Sequence, residues 1–192
     1  ISDAAICLTT VRNHKSRPIQ SSGTNDVRAE AGLEHWLMTD AGSKLTLDFT
    51  HAGYPSTYLA TPEQIDGIIE TLVAHLSVAK VDAIVIEVAD GLLQCETAAL
   101  LDSRVFAKTV DSIIFAAGDA MGAAAGVECL QRKNLPIAAV SGRLTASPLA
   151  IIETGKITGM PVLDKAALSS QTIAEVLQIS PQMSGMRNAA AR

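Results

Sequence analysis

The sequence predicts an α/β fold, a three-layer arrangement in which a mostly parallel sheet is flanked by helices. Three observations carry this. Short apolar runs alternate with longer segments of helical period, the pattern of strands and the helices that cover them. One run, Ala83 to Ile86, is apolar without interruption, as in a strand covered on both faces. The chain's 192 residues, 48% hydrophobic and 18% charged, suffice for one core, leave little room for a second and are too apolar for a disordered chain.

Taken in order, the first extended candidate is Ala4 to Val11, followed by a polar, Ser-rich loop from Arg12 to Asn25 around a short run at Pro18 to Ser21. Asp26 is placed to cap a helix reaching Ala41, with Val27, Leu33, Leu37 and Met38 as its apolar stripe and Gly42 as its stop. Leu45 to Phe49 reads as a short strand and Thr50 to Thr61 as a turn-rich loop. Thr61, Pro62 and Glu63 form a helix start, Thr at the N-cap and Pro at the first helical position. Ile65, Ile68, Ile69, Leu72, Val73 and Leu76 follow at helical spacing. Asp82 to Val88 is the expected central strand. The plan then repeats: helix near Glu96 to Lys108, strand Ser112 to Ala117, helix Ala120 to Lys133, strand Ile137 to Val140, helix Pro148 to Ile157, a short run at Pro161 to Leu163 and a helix near Ala166 to Leu177. A single domain is expected over residues 1–180, with residues 181–192 as a flexible tail lacking any period.

Composition narrows the function classes. With 15 Lys+Arg against 20 Asp+Glu, a net charge of −5 and no basic block, a general electrostatic grip on nucleic acid or anionic lipid is not expected. The 3% aromatic content argues against a base-stacking platform. Cys7, Cys95 and Cys129 are far apart, so neither a disulfide framework nor a zinc site is signalled, and a reducing cytoplasm is the expected setting. The apolar runs stop short of the roughly 18 residues of a membrane span, so no membrane anchor is expected. The chain begins with Ile1 without the layout of a secretory signal, which leaves processing, trimming or lost upstream sequence as readings.

In open α/β sheets ligands bind outside the carboxyl ends of the strands, and here those ends carry carboxylates, glycines and hydroxyls. They are Asp48 to Tyr58, Glu87 to Leu92, Ala117 to Gly122 and Ser141 to Thr145. Such groups suit a divalent cation and close backbone approach to phosphates. Each has a bland counterpart: Gly91, Gly118 and Gly142 also suit tight turns, and Asp90 and Asp119 helix caps. Glu87 is set apart, because a carboxylate ending an apolar strand is costly to bury without a cation, a salt bridge or donors. His51 is a candidate ligand contact or a solvated loop residue. His35 and His75 read as surface or packing residues, and Cys95 as a small apolar filler.

These segments carry a resemblance. Ile84 to Leu93, I-V-I-E-V-A-D-G-L-L, resembles the strand and turn of dethiobiotin synthetase and its relatives among P-loop ATPases. D-A-G at Asp40, D-F-x-x-A-G-Y-x-S-T-Y at Asp48 to Tyr58 and A-D-G-L-x-Q-x-E-T at Ala89 to Thr97 are similar to bacterial P-loop proteins related to that enzyme. The resemblance implies a P-loop NTPase-like form of the fold, with Mg²⁺ and ATP as cofactors and phosphoryl transfer onto a small carboxylate or amine. It implies Glu87 and Asp48 as catalytic residues, and Glu87, Asp26 and Asp48 near the metal. Thr9, Thr10, Gly91 and Gly142 would lie at the nucleotide, and Gly53, Tyr54, Ser56, Thr57 and Tyr58 at the substrate. A homodimer is a candidate assembly. The chain departs from the group where G-x-x-x-x-G-K-[ST] belongs: in Ser2 to Thr9, S-D-A-A-I-C-L-T, Ser2 and Cys7 replace the glycines and Leu8 the lysine, leaving only Thr9. That is either a degenerate loop or a sign that the P-loop lies upstream. Two functions follow, an Mg²⁺- and nucleotide-dependent enzyme, or a non-catalytic binding or scaffold protein that keeps the fold.

Overall fold

A computed structural model of the chain describes residues 7–12, 21–26, 38–79, 81, 83–89, 91–170 and 172–177, with side chains from residue 38 onward except at 172. It is an α/β fold in which a small, mostly parallel sheet is flanked by helices. The strands are β1 (Cys7–Arg12), β2 (Ser21–Asp26), β3 (Thr46–Asp48), β4 (Ala83–Val88), β5 (Ile113–Ala116) and β6 (Ile137–Ser141), in the order β3-β2-β4-β1-β5-β6. The helices are α1 (Pro62–Val78), α2 (Cys95–Asp102), α3 (Arg104–Thr109), α4 (Ala120–Arg132), α5 (Pro148–Thr158), α6 (Lys165–Leu168) and α7 (Thr172–Val176).

The expected central strand and the first long helix form as local physics dictates. β4 pairs with β2 and β1 in mid-sheet, with Ile84, Ile86 and Val88 buried. At the start of α1, Thr61 accepts the Gln64 amide while Gln64 accepts the Thr61 amide, which satisfies donors the first turn would otherwise strand. Ile65, Ile68, Ile69, Leu72 and Leu76 then lie buried against the sheet side of the core. The connections through α1, through α2 and α3, and through α4 all step the same way across the sheet. Right-handed crossovers therefore put these helices on one face, and residues of all four share one core cluster with Ile86, Ile113 and Phe115.

Several expectations are corrected. β1 runs antiparallel to both β4 and β5, so the sheet holds one reversed strand. The loop expected over Arg12 to Asn25 contains β2, whose S-S-G-T-N-D sequence has no apolar signal and whose strand form comes from pairing with β3 and β4. Asp26, expected at a helix cap, is the last residue of β2; the expected helix's body, residues 27–37, lies outside the described residues. Residues 38–40 are helical, and Gly42 at φ +91 closes them as expected, with the Ser43 amide on the Met38 carbonyl. The strand expected over Leu45 to Phe49 ends at Asp48, and Phe49–Ala52 is a 3₁₀ turn.

The helix expected from Glu96 to Lys108 is broken at Ser103. That residue is extended, its Oγ accepts the Val105 and Phe106 amides, and its hydroxyl donates to Asp66 on α1. The helix expected over Ala166 to Leu177 is two short helices, α6 and α7, and the run at Pro161 to Leu163 makes a single bridge, Val162 to Val140. Cys95, expected as an apolar filler, is exposed. The expected tail, residues 181–192, lies outside the described residues. Among the described residues no helix is long and apolar enough to cross a membrane.

Candidate functional site

Because β1 is antiparallel to β4 and to β5, strands β2 to β6 share one direction, and their carboxyl ends share one edge. The pairing register fixes where the two carboxylates fall on it. Asn25 of β2 is the partner of Asp48 on one side and of Glu87 on the other, so Asp48 and Glu87 stand level, two strand spacings or roughly 10 Å apart. The preceding row holds Leu47 and Ile86, both in the helix-side core, so alternation directs Asp48 and Glu87 to the opposite face. Glu87 is half-buried there.

Asp48 is committed to its own turn. It caps the 3₁₀ turn by accepting the Thr50 amide at 2.9 Å and the Thr50 hydroxyl at 2.5 Å, and His51 Nδ1 lies 2.8 Å from the same oxygen. In the tautomer without a proton on Nδ1, that nitrogen instead accepts the Asp48 amide at 3.1 Å. Partial burial pulls the Asp48 carboxyl up, but the bonds from Thr50 and His51 and the neighbouring imidazole outweigh it, and its pKa lies below the ordinary 3.8. Gly53, at φ +89, ends the turn in a conformation that favours glycine.

Beyond it, Tyr54 is half-buried, Ser56 Oγ accepts the Tyr58 amide at 3.0 Å, Thr57 is buried with its hydroxyl unpartnered, and Tyr58 is exposed. Leu59, also exposed, takes a positive φ of 61° and donates its amide to Glu96 Oε1 at 2.5 Å. Glu96 is buried in the first turn of α2, where Gln94 Nε2 donates to its other oxygen and Gln94 Oε1 caps the Thr97 amide. Glu96 and Gln94 are the members of this edge that the sequence reading missed. Their trace is Q-x-E-T at a helix start, whose spacing does not reveal a partner 37 residues away.

A cavity of about 340 Å³ opens at the same edge, between the β4–α2 turn and the β5–α4 turn. Gly91, Leu92, Phe115, Ala117, Gly118 and Asp119 are among its lining residues, and Cys129 of α4 lies at its wall. Asp119 caps α4 by accepting the Gly122 amide at 2.7 Å, the bland role open to it from sequence. Of the residues that the resemblance places at a cofactor or substrate, only Gly91 lines this cavity among the described residues, but Leu92, Ala117, Gly118 and Asp119 line it from the expected strand ends.

Asp48 and Glu87 share the edge but not the cavity. Thr9 and Thr10 sit within β1, opposite Ile113 and Val85, in mid-sheet rather than at a carboxyl-edge turn. Gly142 has a packing role: a Cβ there would lie 2.6 Å and 2.7 Å from the Ala117 nitrogen and oxygen. Asp26 ends β2 opposite Val88, and Asp90 lies outside the described residues. No group of three or more His, Cys, Asp or Glu side chains that could hold a metal ion occurs among the described residues. The residues expected at Mg²⁺ and ATP are thus spread over mid-sheet, turn and opposite-face positions. No protein-family profile, curated protein or solved structure matches the chain.

Proposed function

We propose that this protein binds a small organic molecule at the carboxyl edge of its sheet, with the ligand seated in the cavity between the β4–α2 and β5–α4 turns. One observation carries the reading: a cavity of about 340 Å³ whose walls are mostly apolar side chains and glycine backbone. That volume falls in the range of roughly 300–1,000 Å³ usual for ligand sites. Leu92, Phe115 and Ala117 favour a ligand with an apolar body, while the backbone at Gly91 and Gly118 and the Asp119 carboxylate supply polar contacts. This is a binding protein in the first instance.

A second reading keeps the enzyme: Mg²⁺- and nucleotide-dependent chemistry on a small carboxylate or amine, in a three-layer, P-loop-like, cytoplasmic protein with a homodimer as its assembly. The level placement of Asp48 and Glu87 favours it.

Fluorescence titration with anilinonaphthalene sulfonate, a probe for apolar cavities, tests the first reading. Gly91→Phe fills the cavity from a position with open space around it, and it should abolish probe binding while Val78→Ser, at an exposed position of α1 outside the cavity lining, leaves it intact. Equal binding by the wild type and Gly91→Phe would refute the cavity. Millimolar Mg-ATP separates the two readings. The binding reading expects no more than about 0.4 kcal/mol of stabilisation, the effect of a ligand at its dissociation constant, whereas a large melting shift lost in Glu87→Gln favours the enzyme.

A further inference from the structure

The loop that carries Gly53 to Tyr58 ends in a turn closed by the Ala60 amide on the Thr57 carbonyl at 3.0 Å. Leu59 stands in the left-handed region at φ +61, uncommon for a side chain of its size, yet that side chain is 75% exposed. Beside that local turn bond, a second hold on Leu59 is remote in sequence. Its amide donates to Glu96 Oε1 at 2.5 Å, and Glu96 is only 7% exposed. Burying a carboxylate is costly unless donors meet it, and here one donor is the Leu59 amide and the other the Gln94 side chain. The hydroxyls of Thr57, in the loop, and Thr97, beside Glu96, are buried without a hydrogen-bond partner, as are those of Thr46 and Thr154 elsewhere.

Strained backbone held by surrounding contacts is characteristic of functional sites. The same short segment that holds Glu96 begins with Gly91 and Leu92, which line the cavity.

We propose that Glu96 is the positioning residue of the carboxyl-edge site: by accepting the Leu59 amide it ties the 53–60 loop to the segment that begins with Gly91 and Leu92, and so holds that wall of the cavity in place for a bound ligand. The inference rests on the ligand reading above. Glu96 touches no ligand itself. It acts through Leu59, which sets the expected consequences: loss of the carboxylate frees one amide and one loop, while the core under β4 is unaffected.

Amide exchange followed by NMR tests this on the whole chain, with anilinonaphthalene sulfonate as the probe of the cavity. In the wild type the Leu59 amide should exchange at least about 100-fold more slowly than an unstructured one; unprotected exchange overturns the proposal. Glu96→Leu should speed Leu59 exchange tenfold or more, leave Ile84 and Ile86 protected, and weaken probe binding severalfold. Glu96→Gln, which keeps a carbonyl acceptor, should restore most of both. Should Glu96→Leu lose protection throughout, the wild type decides: the Leu59 amide proton shift should follow the ionisation of one carboxylate, and that movement should vanish in Glu96→Gln. A shift that does not move overturns the proposal. The two failures are distinct, because absence of probe binding to the wild type removes the site itself, whereas unchanged Leu59 exchange in Glu96→Leu removes the positioning role alone.

Discussion

Gly142→Ala separates a glycine that serves packing from one that serves a ligand. Gly142 follows β6 at φ +99 and ψ −164, a region that side-chain-bearing residues rarely enter. Its position is fixed from both sides: the Ala117 amide donates to the Ser141 carbonyl at 3.0 Å and the Leu144 amide to the Ala117 carbonyl at 3.1 Å. An added Cβ would meet the Ala117 nitrogen at 2.6 Å, its oxygen at 2.7 Å and the Ala116 carbonyl carbon at 3.2 Å, all of them backbone atoms that no rotamer change can move. Backbone strain of this kind costs roughly 1–3 kcal/mol. Overpacking adds roughly 1–3 kcal/mol, for a total near 4 kcal/mol. That is a large share of the roughly 5–15 kcal/mol typical of a folded domain, and at about 2–4 °C per kcal/mol it should lower Tm by around 8–16 °C.

Urea denaturation of the wild type, Gly142→Ala and Gly91→Ala measures it. Gly91 has nothing within 4 Å of an added Cβ, so Gly91→Ala should stay within about 0.5 kcal/mol of the wild type. A loss below about 1 kcal/mol in Gly142→Ala would refute the packing argument and return Gly142 to the ligand-binding candidates.

Two further expectations rest on equally local geometry. A Cβ on Gly126 would sit 2.1 Å from the Phe115 ring, so Gly126→Ala should cost about 1–3 kcal/mol in the wild type and much less in Phe115→Leu; a double-mutant cycle that is additive within about 0.3 kcal/mol would remove the ring as the cause. Because the Asp48 pKa is lowered in the fold, its contribution is fully present above its ordinary 3.8 and is lost as pH falls through the folded value; denaturant melts from roughly pH 5 down to 2 should show a shallower acid loss for Asp48→Asn than for the wild type, and identical slopes would contradict the turn's hydrogen bonding.

What the sequence makes legible is what is decided within a few residues. The Thr61 cap with Pro62, the apolar run of β4 and the glycine stop at Gly42 are all local choices, and each appears where its chemistry places it. What it conceals is decided by partners far along the chain. β2 is polar and exists as a strand because β3 and β4 flank it. The direction of β1 is set by its pairing with β4 and β5, and an apolar strand reads the same both ways. Ser103 breaks a continuous helical pattern through a bond to Asp66, and Glu96 holds an amide 37 residues upstream. The candidate site suffers most from this, since it is assembled from turns whose mutual placement no spacing encodes.

The two-residue period of a strand also explains why one expected crevice became two features. Asp48 and Glu87 end their strands on one edge, the edge where a ligand is expected. Edge, however, fixes only one coordinate. Side chains alternate between faces, so the row of Leu47 and Ile86 goes to the helix side and the row of Asp48 and Glu87 to the other. The cavity, walled by Phe115 and by Gly126 and Cys129 of α4, belongs to the helix side. A ligand held there reaches the carboxylate row only by passing over the strand ends, a distance set by the sheet's thickness and not by a rotamer. Chemistry that uses Glu87 therefore requires a ligand long enough to cross the edge, whereas binding in the cavity alone requires neither Asp48 nor Glu87.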